Sequence, residues 1–199
     1  SIPCVYFITF PAHNQVPVTQ ERKIMKILLC GDINSGKTTM IKRLLADMSA
    51  APRGYITVRM PEVDGVSNVY LYDIANPPER VEDAAVIMAI SDSGTEKHPE
   101  LLDTLGVRYL TGIPAGSVVV LDEIGSLETA SPGFQKAVMR ILSGDYPVLA
   151  AVKAANTDFL RTVRRHPDCE LYIITPDNRD ALYVCLLYTS DAADEEDSV

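Results

Sequence analysis

The residues best placed to do chemistry lie in the run Gly31, Asp32, Ile33, Asn34, Ser35, Gly36, Lys37, Thr38, which fits G-x-x-x-x-G-K-[ST]. Each constrained position has a physical task. The glycines let backbone approach phosphate oxygens with no Cβ in the way. Successive N–H groups form an anion nest, and a following helix adds its positive end. Lys37 reaches β- and γ-phosphates as a point charge, and the Thr38 hydroxyl can ligate Mg²⁺. Residues 31–39, Thr39 included, are therefore candidate nucleotide-binding residues.

A second constellation follows about ninety residues later. Ser117 to Leu121 is an apolar run ending in Asp122 and Glu123, the Walker B pattern. A strand buried on both faces reads this way, and it delivers Asp122 to the carboxyl edge of an open sheet. Asp122 and Thr38 are the expected Mg²⁺ ligands. Glu123, one residue on, is the expected acid that orients water and accepts its proton. Lys37 and Glu123 are the candidate catalytic pair.

Other residues carry weaker signals. Arg179 follows Asn178 at a strand-to-helix junction, where a guanidinium meets phosphate or nucleobase, or is solvated beside a helix capped by Asp177 or Asn178. Glu128 is a candidate for steadying the loop after Glu123. Arg53 and Arg59 are surface arginines in reach of phosphate only if the fold brings them there. His13, His98 and His166 stand apart in sequence and are expected at the surface. Tyr70 and Tyr72 read as one face of a strand.

The elements that must position these groups alternate strand and helix. Met25 to Cys30 is a buried strand, and Thr39 to Met48 a helix with Met40, Ile41, Leu44, Leu45 and Met48 on one side. Gly54 to Met60 and Val66 to Ile74 alternate with period two around the turn signal Asp64-Gly65, predicting an antiparallel hairpin. Residues 75–100 read as loops with a short strand at Val86 to Ile90. Helices are predicted at Pro99 to Leu110, Pro132 to Leu142, Thr157 to Arg165 (capped by Asn156) and from Asp177. Strands are predicted at Pro147 to Val152 and Glu170 to Thr175.

Composition bounds the rest. The 199 residues are 47% hydrophobic and 23% charged, as expected of one soluble globular domain. Net charge is −9, but the last nine residues hold five acids and no base, leaving −4 for the remainder. Without a basic face the chain is not expected to bind nucleic acid. No apolar run has the length of a membrane span. Cys4, Cys30, Cys169 and Cys185 lack C-x-x-C spacing, so reduced thiols and a cytoplasmic setting are expected. Residues 25–184 are expected to form the domain. Residues 1–24 read as upstream sequence preceding Met25, or alternatively as an edge strand from Val5 to Phe10. Residues 185–199 resemble a reading frame of a transposase sequencing adapter, or else form an acidic tail.

Taken in order, Arg53 to Thr57, Val120 to Glu128, Phe134, Pro147 to Val152 and Ile174 to Asp180 resemble the THEP1 family of nucleoside-triphosphatases. The resemblance spans roughly Met25 to Leu182. It implies an α/β P-loop NTPase fold: a three-layer sandwich with a mostly parallel central sheet and an antiparallel hairpin. It also implies slow Mg²⁺-dependent hydrolysis of ATP, GTP and other nucleoside triphosphates; apart from the resemblance, the chain is expected to be a monomer. Where the family often carries a histidine after the strand at Pro147 to Val152, this chain has Lys153. A charged lysine donates to phosphate but accepts no proton. Two other readings stay open on the motifs alone: a kinase with an acceptor pocket within residues 75–100, and a nucleotide-gated binding module.

Overall fold

The computed structural model describes residues 24–194, with side chains to 187. The expectations for residues 1–23 and for 195–199 fall outside the described residues, as does His13.

Eight strands form one sheet in the order β5-β4-β3-β2-β6-β7-β1-β8. They are β1 (Lys26–Gly31), β2 (Pro52–Arg59), β3 (Val66–Asp73), β4 (Ala85–Ser91), β5 (Gly94–Lys97), β6 (Val118–Ile124), β7 (Val148–Lys153) and β8 (Glu170–Ile173). The run β2-β6-β7-β1-β8 is parallel, and β2-β3-β4-β5 is antiparallel. The predicted hairpin is β2–β3. Its turn places Asp64 and Gly65 at φ 51° and 79°, the positive values that a two-residue connection with native twist requires. The antiparallel part is larger than one hairpin, because β5 adds a further edge. The sequence signals no strand there: Gly94–Lys97 contains no apolar residue and is exposed throughout, so no buried side chain of its own supports its pairing.

Helices cover both faces. α1 (Lys37–Asp47) and α5 (Arg179–Asp194) pack on one side. There Met40, Ile41, Leu44 and Leu186 meet Ile27, Leu29, Val118, Val120, Leu149 and Ala151. The other side is covered by α2 (99–109), α3 (Pro132–Ser143) and α4 (Asp158–Arg164). Phe134, Val138, Ile141, Leu160 and Val163 pack there on Leu28, Val119, Leu121 and Ala150. Alternate residues of β1, β6 and β7 thus serve different cores. This is why these strands read as unbroken apolar runs rather than as alternation.

Three local features differ from expectation. The middle of α2, Leu102–Gly106, is π-helical. Gly106 lies so near α3 that a Cβ would stand 2.6 Å from the Phe134 ring. The cap of α4 is Thr157, whose hydroxyl accepts from the Leu160 N–H at 3.2 Å; the Asn156 side chain instead receives Arg161. The last helix begins at Arg179 and runs through residue 184 to Asp194, with Leu186 buried. Among the described residues no helix is long and apolar enough to cross a membrane.

Candidate active site

The carboxyl ends of the parallel strands meet at one edge. β1 ends in the loop at Gly31, where an added Cβ would lie 2.3 Å from the Ile174 carbonyl oxygen and 2.8 Å from Ser35 Oγ. Only glycine fits so close to backbone. The loop turns through Asn34 at φ 64° and Gly36 at φ 101°, and α1 starts at Lys37 with Gly36 as its cap. Asp32, Ile33, Asn34 and Thr39 are exposed, while Ser35 and Lys37 are buried.

The tip of β6 faces this loop. Thr38 Oγ1 donates to Asp122 Oδ1 at 3.1 Å. Lys37 Nζ lies 3.2 Å from Glu123 Oε1 and donates to the carbonyls of Gly31 and Asp32, each at 2.9 Å. An ammonium has three N–H donors, so all three are engaged. Between Leu121 and Ile124 the register of β6 on β7 shifts, and the Glu123 N–H is met by Thr57 Oγ1 of β2 at 3.1 Å. Lys37, Thr38, Asp122 and Glu123, predicted from two segments 84 residues apart, therefore share one site.

Asp122 is 1% exposed. Burial pushes its carboxyl up to about 6, opposed by the Thr38 hydrogen bond and reinforced by Glu123. Its Oδ2 is buried with no hydrogen-bond partner. A buried orphan carboxylate oxygen is costly unless something cationic meets it. With the Thr38 hydroxyl it forms a hard oxygen donor set suited to Mg²⁺, which takes one or two protein ligands and completes its shell with phosphate and water. Among the described residues no group of three or more His, Cys, Asp or Glu forms a self-sufficient metal cage.

The remaining candidates separate. The aliphatic part of Arg179 passes over the loop: a Cβ on Gly36 would lie 3.5 Å from its Cδ and 3.8 Å from its Nη1. Its neighbour Asn178 does not use its side chain as a helix cap. It accepts from the Thr175 N–H at 2.8 Å and donates to the Ile173 carbonyl at 2.9 Å, fixing the turn that leads to Arg179. Arg53 and Arg59 contact the Pro52 carbonyl and Ser67 Oγ. His98 lies between Glu96 and Glu100. His166, expected at the surface, is instead buried and bonded to Ser143 Oγ at 3.0 Å; the turn after α4 tucks it against the end of α3. Glu128 is buried. Burial raises its carboxyl, against the backbone N–H groups of Gly125 and Glu128 itself and the charge of Lys153.

Sequence reasoning missed one contact. Lys153 Nζ lies 3.6 Å from Glu123 Oε2, because β7 pairs with β6 and sets Val152 opposite Ile124 at the strand ends. The sequence marked Lys153 only as the residue standing where the family often carries a histidine, at the end of an apolar strand, with no sign of its partner.

A family model described as NTPase matches residues 26–187. The chain belongs to the THEP1-type nucleoside-triphosphatase family. Nucleoside-triphosphatase THEP1 of Thermotoga petrophila is 26% identical over 175 residues, covering 82% of this chain and 92% of the relative. THEP1 of Methanothermobacter thermautotrophicus is 26% identical, covering 82% and 94%. A shorter match, 40% identical over 88 residues, links it to THEP1 of Thermofilum pendens and spans 43% of this chain and 48% of that relative. The crystal structure of THEP1 from the hyperthermophile Aquifex aeolicus shares the fold, with a TM-score of 0.67 at 21% identity, over 83% of this chain and 98% of that one.

Proposed function

We propose that the protein hydrolyses nucleoside triphosphates, ATP and GTP among them, to the diphosphate and phosphate with Mg²⁺. The observation that carries this reading is the meeting of Lys37 and Thr38 with Asp122 and Glu123 at the carboxyl edge of the sheet. Residues Gly31 to Thr39 cradle the phosphates. To bind a phosphate oxygen, Lys37 must exchange one of its three present acceptors, and Glu123 is the one of them that is a side chain and the farthest at 3.2 Å. Arg179, lying over Gly36, is placed to contact the nucleotide. Thr38 and the orphan oxygen of Asp122 would hold Mg²⁺, which offsets charge on the phosphate oxygens. Glu123 orients a water and takes its proton as the water oxygen bonds to the γ-phosphorus. The bond from that phosphorus to the β–γ bridging oxygen breaks, and its electron pair leaves on the diphosphate.

The test is phosphate release from a panel of nucleoside triphosphates with and without Mg²⁺. Glu123→Gln should lower kcat by about 10²- to 10⁴-fold while nucleotide affinity stays close to that of the parent. Turnover at the parent rate in that variant would remove Glu123 from the mechanism. Transfer of γ-phosphate label to a small acceptor rather than to water would make the protein a kinase.

A further inference from the structure

We infer that Lys153 is a positioning residue for hydrolysis. Lying over Gly125 near Glu128, it holds Glu123 toward the reacting water when Lys37 turns to the triphosphate. The inference rests on the reaction proposed above and adds a residue to it.

Glu123 is held between two cations, one from a helix and one from a strand. Lys37, at the head of α1, takes Oε1 at 3.2 Å, and Lys153, the last residue of β7, takes Oε2 at 3.6 Å. Their surroundings differ. Lys37 is 7% exposed, and two of its donors are spent on the carbonyls of Gly31 and Asp32. Its remaining donor is the one that a phosphate oxygen would claim. Lys153 has no second duty toward the phosphate loop, so its hold on Glu123 survives that exchange.

Lys153 is itself located by its neighbours. Its side chain runs over Gly125: an added Cβ there would stand 3.1 Å from Lys153 Cδ and 3.4 Å from Nζ, and 3.5 Å from Glu128 Oε2. Glu128 Oε2 is buried without a hydrogen-bond partner, and Lys153 is the cation whose charge acts on that carboxyl. Lys153 thus lies among two carboxylates, one facing the site and one behind it, in a space that exists because residue 125 has no side chain. The backbone end of the arrangement is tied down as well. The Glu123 N–H is held by Thr57, and the Glu128 carbonyl accepts from Gln135 Nε2 at 2.8 Å and from the Ser131 N–H at 3.0 Å. A carboxylate fixed at both ends keeps a near-attack water aligned, and loss of alignment by about 1 Å costs on the order of 10²-fold.

Lys153→Met, which keeps the stem and removes the charge, tests this on the full chain. The expected result is a 10- to 100-fold fall in kcat, on the order of a misplaced catalytic group, with KM and nucleotide Kd within about threefold of the parent. Lys153→Arg should recover most of that loss. In a Glu123→Gln background, Lys153→Met should cause no further fall, because a residue that acts through Glu123 has nothing left to position. An unchanged kcat in Lys153→Met overturns the inference. So does a loss that adds in full to that of Glu123→Gln, or one that appears mainly in Kd, which would mark a direct phosphate contact. If Lys153→Met does not fold, as judged by thermal unfolding, Lys153→Gln carries the same test. The failure of this inference is separable from that of the proposed reaction: parent-rate hydrolysis by Glu123→Gln sinks the reaction, whereas a slow Glu123→Gln beside a fast Lys153→Met sinks only the role of Lys153.

Discussion

In the parallel part of the sheet, β1, β6 and β7 are buried along nearly their whole length, whereas β5, at the far antiparallel edge, is exposed at all four positions. Gly31, Asp122, Glu123 and Lys153 all sit at or just beyond the ends of buried parallel strands. None of the site's side-chain contacts comes from β4 or β5. The difference shows what rigidity is for here. Strands packed on both faces bring groups from three chain segments to one edge, where Lys153 stands 3.6 Å from Glu123. A strand with no buried face could not keep such a tolerance. β2 is the seam between the two parts, parallel to β6 on one edge and antiparallel to β3 on the other.

The comparison breaks most completely at that seam. Gly54 has φ 107°, and an added Cβ would stand 2.1 Å from the Val120 carbonyl oxygen. Gly54→Ala should therefore cost more than about 4 kcal/mol, the range of severe backbone conflicts, and denaturant titration should show little native protein. Next is Leu121→Ala, at a residue fully buried between β2 and β7. Truncation there should cost about 3–4 kcal/mol by equilibrium unfolding. A loss below about 1 kcal/mol would mean that the parallel core is looser than its burial implies.

Asp122 gives a pH-dependent test of the same region. Its carboxyl is raised from 3.8 to about 6, so the folded chain binds more protons than the unfolded chain between those values. Stability should accordingly fall as pH rises across that window and then level off, by up to about 3 kcal/mol in total. Asp122→Asn should flatten the fall and stabilise the metal-free protein at pH 7.5, while abolishing Mg²⁺-dependent turnover. Unfolding curves from pH 4 to pH 8 for both proteins check the sign. Mg²⁺ should restore stability to the parent above pH 6 and not to the variant. The smallest effect belongs to the antiparallel edge, where Thr95→Ala on exposed β5 should change stability by no more than about 0.5 kcal/mol and leave turnover untouched. A larger loss would show that β5 contributes more than its exposure suggests.

Much of this was legible in the chain. Gly31 to Thr38 could be read because the glycines and Lys37 are demanded by local backbone geometry and charge. The β2–β3 turn could be read because Asp64 and Gly65 tolerate positive φ, and β6 because a strand buried on both faces leaves a continuous apolar run. What was not legible had no local signature. β5 buries nothing. The cap of α4, read as Asn156, is Thr157; the Asn156 side chain accepts from Arg161, a contact with no signature at the cap itself. His166 gives no local sign of burial; the turn that folds it onto Ser143 is a tertiary event.

By itself the sequence determined the glycine-rich turn before α1, the acid pair at the tip of β6 and the layered α/β class, since these follow from residue type and from periodicity within single elements. Only the tertiary structure decided that β7 lies between β6 and β1, and so that Lys153 stands beside Glu123 while Asp122 loses its water. Strand order and burial are properties of the packed sheet. They arise from long-range pairing between segments whose own residues carry no record of their neighbours.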